Sequence, residues 1–96
     1  IKTFSHPVER RHPRRQVEVG HDVAAQIAAG ERRITGVMIE SHLQPGRQDL
    51  QPGRALKPGV SITDACLGWD DSATLMRQLA GAVRQRQALL TMSVLR

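Results

Sequence analysis

The sequence predicts an α/β fold that is incomplete on its own. Two segments, roughly 19–29 and 71–86, carry apolar residues at the 3.6-residue spacing of amphipathic helices. Between them lies a short, almost continuous apolar run, 34–39, which is typical of a strand buried on both faces of a parallel sheet. Such a strand needs a neighbour along each edge, and the chain offers at most one other candidate, at its very start. The pattern therefore indicates that the chain is one part of a larger α/β fold.

The first sixteen residues, "IKTFSHPVERRHPRRQ", form a basic segment without sustained periodicity. Pro7 and Pro13 each disfavour the helical conformation in the residue before them, so we expect no regular helix over 1–16. The stretch "IKTF" is compatible with the end of a strand. We therefore divide the chain into this segment, a main portion over 17–87 and a tail over 88–96.

The predicted first helix and the predicted strand follow one another closely. Val19, Val23 and Ile27 recur at helical spacing, and Gly30 stands where a C-terminal cap is expected. The run "RRITGVMIE" then supplies the strand, and its β-branched members favour that conformation. A short connection of this kind is typical of βαβ units.

A long loop follows the predicted strand and contains three Pro-Gly pairs, at 45–46, 52–53 and 58–59. Each pair predicts a turn, because proline fixes φ and glycine accepts the positive φ that follows. Asp70, Asp71 and Ser72 then suit the start of the second helix. The tail "ALLTMSVLR" either prolongs that helix or leaves it.

The net charge of +5 is concentrated at the start of the chain. Residues 1–15 contain five basic residues and one acidic residue, so this arm carries +4 while the remainder is nearly neutral. A basic arm can bind nucleic acid or an acidic partner. The chain has only one Phe, one Trp and no Tyr, so it lacks the aromatic platforms on which single-stranded bases stack. We therefore do not expect nucleic acid as the partner.

Composition also predicts the compartment. The single cysteine, Cys66, excludes an internal disulfide and is typical of a reducing compartment. No apolar run approaches the ~20 residues of a membrane span, and no apolar region of a signal peptide follows the basic start. We expect a soluble, cytoplasmic protein without a membrane partner. Because the chain does not begin with Met, we also expect that it starts inside a longer reading frame or has been trimmed.

Three polar residues fall at connections where α/β folds place their active sites. Glu40 ends the predicted strand, Asp64 lies in the loop before the second helix, and His6 follows "IKTF". An imidazole and two carboxylates are suitable ligands for a divalent metal such as Mn or Fe. Each residue also has a structural alternative: Glu40 could accept hydrogen bonds from helix amides, Asp64 could cap a short helix over "DACLGW", and His6 could be an ordinary loop histidine.

Three blocks closely resemble the C-terminal part of 3-deoxy-D-arabino-heptulosonate 7-phosphate (DAHP) synthase, in the class regulated by aromatic amino acids. The blocks are "QIAAGERRITGVMIESHLQPGRQDL", "LKPGVSITDACLGWDD" and "LMRQLAGAVRQRQ". The resemblance covers residues ~16–87, and long blocks of this kind are more specific than a short motif. It implies a (β/α)₈ barrel, of which this chain would supply the last two β/α units.

The resemblance also implies a function. DAHP synthases condense phosphoenolpyruvate with erythrose 4-phosphate and release phosphate, at the entry to the shikimate pathway of aromatic amino acid biosynthesis. The family's divalent metal takes a Cys, a His, a Glu and an Asp. Glu40 and Asp64 match the Glu and Asp ligands, and Ser5-His6 takes the place of the family's Ser-His pair. The implied metal is Mn, Fe or a similar ion, and the implied parent enzyme is a homo-oligomer.

The start of the chain departs from the family pattern. The family's block resembles D-C-S-H-A-N-S-S-K, whereas this chain reads "TFSHPVERR". The family's Cys ligand and phosphate-binding residues would lie upstream of Ile1, so we expect residues 1–96 alone to be inactive. Two alternatives stay open: a truncated or decayed gene product without activity, and a small protein that binds nucleic acid or an acidic partner through its basic arm.

Overall fold

The computed structural model describes residues 14–94 of the chain, and these contain two helices. Helix α1 spans Arg15–Ala28 and helix α2 spans Trp69–Val94, so both predicted helices are confirmed. α1 begins earlier than predicted, and the expectation of no helix over 1–16 is wrong for Arg15 and Gln16. The reason is that proline restrains the residue before it and leaves the residues after it free to start a helix. Neither helix in this part of the chain combines the length and apolar character needed to cross a membrane.

Helix α2 includes most of the predicted tail. It runs through residues 88–94, so the tail prolongs the helix as far as it is described. Asp70 and Asp71 lie in the first turn, where their charges complement the helix dipole. Ser72 is buried and its hydroxyl donates to the carbonyl of Gly68 at 2.8 Å. Trp69, by contrast, is 63% exposed and contributes little to packing at the helix start.

The two helices pack side by side and run in the same direction. Arg14 contacts Asp71 at 2.9 Å, Gly20 lies against Leu75, and further along each helix His21 is bonded to Gln78 at 2.6 Å. Helices joined by a short loop are normally antiparallel. A parallel pair needs a return path, which residues 29–68 provide, as in successive units of an α/β fold.

The core lies between the helices and the return segment. Ile34 and Leu67 come from the return segment, and the other buried members come from the helices. Burial of this set supplies the main favourable term for folding. The full cluster is Ala24, Ile27, Ile34, Leu67, Leu75, Leu79 and Ala82.

The predicted strand over 34–39 is not present as a strand in the described residues. The described residues contain only isolated bridges, and these lie beyond the segment: Ser41 with Leu67, Gly46 with Cys66, and Arg47 with Ser61. Ile34 is buried, but Met38 is 50% exposed, so the segment is covered on one side only. The physical reason is that a strand needs partners, and residues 14–94 supply none along its length. The barrel's last two β/α units therefore stay a prediction.

The long loop turns at two of its three Pro-Gly pairs, 52–53 and 58–59, whereas at 45–46 it bends and Gly46 pairs with Cys66. Gly46, Gly53 and Gly59 all have positive φ, between 78° and 91°. The side chain of Gln48 holds the loop together, because its amide donates to the carbonyls of Lys57 and Val60 and accepts from the N–H of Lys57. The loop is therefore ordered by internal bonds despite its exposure.

Candidate functional site

Glu40 is held at its backbone from two directions. Its N–H donates to Oε1 of Gln16 at 2.8 Å, and its carbonyl accepts from Nε2 of Gln16 at 2.9 Å. The same carbonyl accepts the N–H of Leu67 at 3.0 Å. Helix α1 and the segment before α2 thus fix the peptide groups of a half-buried carboxylate residue.

Asp64 lies in a tightly turned segment to which Arg47 is hydrogen-bonded. The hydroxyl of Ser61, which is buried, accepts the N–H of Thr63 at 3.1 Å. Arg47 donates through Nε to the Thr63 carbonyl at 2.9 Å and pairs through its guanidinium with Asp49 at 2.8 Å. Asp64 follows directly and is half-buried.

The alternative in which Asp64 caps a short helix is wrong. Residues 64–68 are not helical. Cys66 exchanges two backbone hydrogen bonds with Gly46, at 2.9 and 3.1 Å, and so pairs with the loop instead. Where that alternative would place a short helix, Cys66 forms this antiparallel bridge.

The segments that carry Glu40 and Asp64 lie next to each other. Ser41 forms a parallel bridge with Leu67, and the N–H of His42 donates to the Leu67 carbonyl at 2.9 Å. Burial raises the pKa of the Cys66 thiol, a hydrogen bond with Ser61 opposes this, and the charges of Glu40 and Asp64 raise the pKa further. The segments that carry the two carboxylates are therefore paired through their backbones.

His6, the third predicted ligand, lies outside the described residues. Among residues 14–94, no group of three His, Cys, Asp or Glu side chains is arranged to hold a metal ion. The two carboxylates fit a divalent cation by their chemistry, since oxygen donors suit such ions, but two ligands alone do not make a site. The structure thus pairs the backbone segments that carry Glu40 and Asp64, and the roles of all three residues stay predictions.

The other polar residues of this region have structural roles. His42 is exposed, and its Nδ1 accepts the N–H of Leu43 at 2.8 Å. Cys66 is buried, and its thiol donates to the Asp64 carbonyl at 3.4 Å. Burial raises the pKa of this thiol, which disfavours the thiolate that a nucleophile would need.

Gln16 is the residue that the sequence interpretation missed. Its side chain is 1% exposed and bonds to both peptide groups of Glu40. A signal for it existed: Gln16 continues the buried face of α1, at helical spacing from Gly20, Ala24 and Ile27. A polar residue on an otherwise apolar face indicates a buried hydrogen-bond partner. This signal was overlooked because Gln16 directly follows the basic residues of the first segment.

The basic arm is partly neutralised where it is described. Arg14 pairs with Asp71 at 2.9 Å, and Arg15 lies 4.0 Å from Glu18 on the same helix. Both ion pairs are exposed and therefore weak, but in each the arginine guanidinium group faces a carboxylate of the same chain. The rest of the arm lies outside the described residues.

Comparisons with known proteins show to which family the chain is similar. The sequence profile of the DAHP synthetase I family matches residues 3–77, a range that includes His6, Glu40 and Asp64. The phenylalanine-sensitive phospho-2-dehydro-3-deoxyheptonate aldolase of Escherichia coli is 51% identical over 84 residues, covering 88% of this chain and 24% of that protein. The corresponding aldolase of Haemophilus influenzae is also 51% identical over 84 residues, covering 88% of this chain and 23% of its own length.

A solved structure of an aldolase with the same name is similar to this chain in fold. The phospho-2-dehydro-3-deoxyheptonate aldolase of Francisella tularensis superposes with a TM-score of 0.78 at 34% identity, covering 88% of this chain and 24% of that one. The chain thus spans about a quarter of the length of the relatives it matches, and its fold corresponds to a piece of theirs. With most of its residues inside the family match and half of the aligned residues identical, the chain belongs to the DAHP synthetase I family.

Proposed function

We propose that this chain forms the last two β/α units of a DAHP synthase. That enzyme condenses phosphoenolpyruvate with erythrose 4-phosphate to give DAHP and phosphate. Family membership and the two blocks "GVMIESHL" and "SITDACLGW" support this proposal. The observation that carries it is the backbone pairing of the two segments that bear Glu40 and Asp64, through the parallel bridge of Ser41 with Leu67 and the hydrogen bond from the Leu67 N–H to the Glu40 carbonyl. The carboxyl ends of barrel strands carry catalytic residues in this architecture.

The chemistry of the site follows from its donors. Glu40, Asp64 and His6 would hold a divalent ion such as Mn or Fe, which supplies Lewis acidity toward the aldehyde oxygen when bound. The chain itself contributes two half-buried carboxylates with fixed backbones. Fixed ligands lose little entropy when they bind a cation, so they favour tight and oriented coordination.

Location and assembly are part of the same proposal. The lone cysteine is typical of a reducing compartment, and we infer that the protein acts in the cytoplasm within a homo-oligomeric enzyme. The near absence of aromatic residues argues against the alternative of a nucleic-acid-binding arm. The alternative of an inactive gene product is decided by the following experiment.

The test is a chimaera of the Escherichia coli relative in which this chain replaces the 84 matching residues. We expect Mn²⁺-dependent release of phosphate that requires both substrates. Glu40→Ala and Asp64→Ala should abolish it, whereas Asp49→Ala, at an exposed carboxylate paired with Arg47, should not. A folded chimaera without turnover, or one that keeps full turnover without either carboxylate, would refute the proposal.

A further inference from the structure

The amide of Gln16 satisfies both peptide groups of a single residue. Oε1 accepts the N–H of Glu40 at 2.8 Å while Nε2 donates to the carbonyl of Glu40 at 2.9 Å. This is the donor and acceptor pattern that a neighbouring strand would present to Glu40. A side chain from a helix thus takes the place of a strand backbone at one position.

Only glutamine meets this requirement at position 16. Glutamate at neutral pH could accept from the N–H but could not donate to the carbonyl, so two oxygen atoms would face each other. Asparagine is one methylene shorter and would not reach both groups. Methionine has a similar shape but neither a strong donor nor a strong acceptor, and would leave two buried peptide groups unsatisfied.

Gln16 is itself firmly placed. Its side chain is 1% exposed and lies on the face of α1 that also buries Gly20, Ala24 and Ile27. Helices packed through such a face are rigid compared with loops. The contact therefore transmits the position of α1 to the backbone from which the Glu40 carboxylate extends.

We propose that Gln16 is a positioning residue for Glu40, and that the affinity of the site for its divalent ion depends on this amide contact. The inference rests on the proposed function, in which Glu40 is a ligand. Groups that orient a metal ligand typically change metal affinity by about 10- to 100-fold when they are removed. We expect a loss of that size when the amide is removed, with Glu40 itself unchanged.

The experiment measures Mn²⁺ affinity and backbone protection in the chimaera described above. Mn²⁺ binding is followed by the electron paramagnetic resonance signal of the free ion, and protection by hydrogen exchange of the Glu40 amide. Gln16→Met should raise the dissociation constant about 10- to 100-fold and remove protection at Glu40. Gln26→Met, on the same helix but with an exposed amide bonded to Asp22, should change neither.

Each outcome decides between the two proposals. An unchanged dissociation constant in Gln16→Met, with the protection of Glu40 lost, would overturn the positioning role and leave the proposed function intact. A parent chimaera that binds no Mn²⁺ would overturn both. If Gln16→Met fails to fold by circular dichroism, Gln16→Asn provides the same comparison, because it keeps an amide that is too short to reach both groups.

Discussion

Gly20 of α1 lies directly against the side chain of Leu75 of α2. A Cβ atom on Gly20 would stand 2.5 Å from Cδ1 and 2.8 Å from Cδ2 of Leu75. Leu75 is 2% exposed and belongs to the core cluster, so it has little space into which to move. The absence of a side chain at position 20 therefore sets how closely the two helices approach.

Gly20→Ala should destabilise the chain, although alanine favours helices. The added methyl group forces Leu75 from its packed rotamer, and such overpacking typically costs about 1–3 kcal/mol. The gain in helix propensity, about 0.5–1 kcal/mol, offsets only part of this. Urea denaturation of the purified chain should show a lower free energy of unfolding.

Gly81→Ala is the matched control for this substitution. Gly81 also lies within a helix, but the nearest atom to an added Cβ is the guanidinium Nη2 of Arg84, at an ordinary 3.7 Å. We expect stabilisation by about 0.5–1 kcal/mol. Equal effects of the two substitutions would contradict the close contact of Gly20 with Leu75.

Arg86 should be important for stability, and its neighbour Arg84 should not. One guanidinium nitrogen of Arg86 donates to the carbonyls of Glu31 and Ile34, at 2.8 and 2.9 Å, and so ties the start of the return segment to α2. Arg86→Ala leaves two partly buried carbonyls without this donor, at a cost of about 1–3 kcal/mol. Arg84 is exposed, so Arg84→Ala should change the free energy of unfolding by less than about 0.5 kcal/mol.

The Cys66 thiol should react slowly while the chain is folded. Burial raises its pKa and the nearby carboxylates raise it further, so the reactive thiolate is scarce at neutral pH. We expect reaction with an aromatic disulfide reagent at pH 7 to be on the order of tenfold slower, or more, than in urea. Because Cys66 is the single cysteine, the absorbance change reports this residue alone. Equal rates in the two conditions would mean that the thiol is exposed.

A polypeptide of residues 1–96 should not catalyse the condensation by itself. It spans about a quarter of the length of its relatives, and residues 14–94 contain no strand, so the sheet of a barrel cannot close within them. Phosphate release from phosphoenolpyruvate and erythrose 4-phosphate, with added Mn²⁺, should equal the blank. The active chimaera serves as the positive control, and turnover by the isolated polypeptide would contradict the prediction.

The features that depend on local pattern could be predicted, and those that depend on distant partners could not. Both helices follow from apolar spacing, and the turns follow from the Pro-Gly pairs. Residues 34–39 have the composition of a buried strand, but a strand forms only when it pairs with a segment distant in the sequence, and residues 14–94 supply none along its length. Glu40 could be chosen because it ends an apolar run, and Asp64 because it lies in the loop before the second helix and, like Glu40, matches a family motif; their roles stay predictions. The burial of Gln16 could be predicted from its place on the apolar face of α1, but its partner could not, because the contact exists only once α1 packs beside Glu40.

Helix α2 is far longer than the core that it covers. Its last buried residue is Ala82, and the described side chains beyond Arg86 are mostly exposed, including Leu89 and Met92. We expect the final turns to open and close as an isolated peptide helix does, while the packed region stays folded. Substitutions at these exposed positions should therefore change the free energy of unfolding of this chain little.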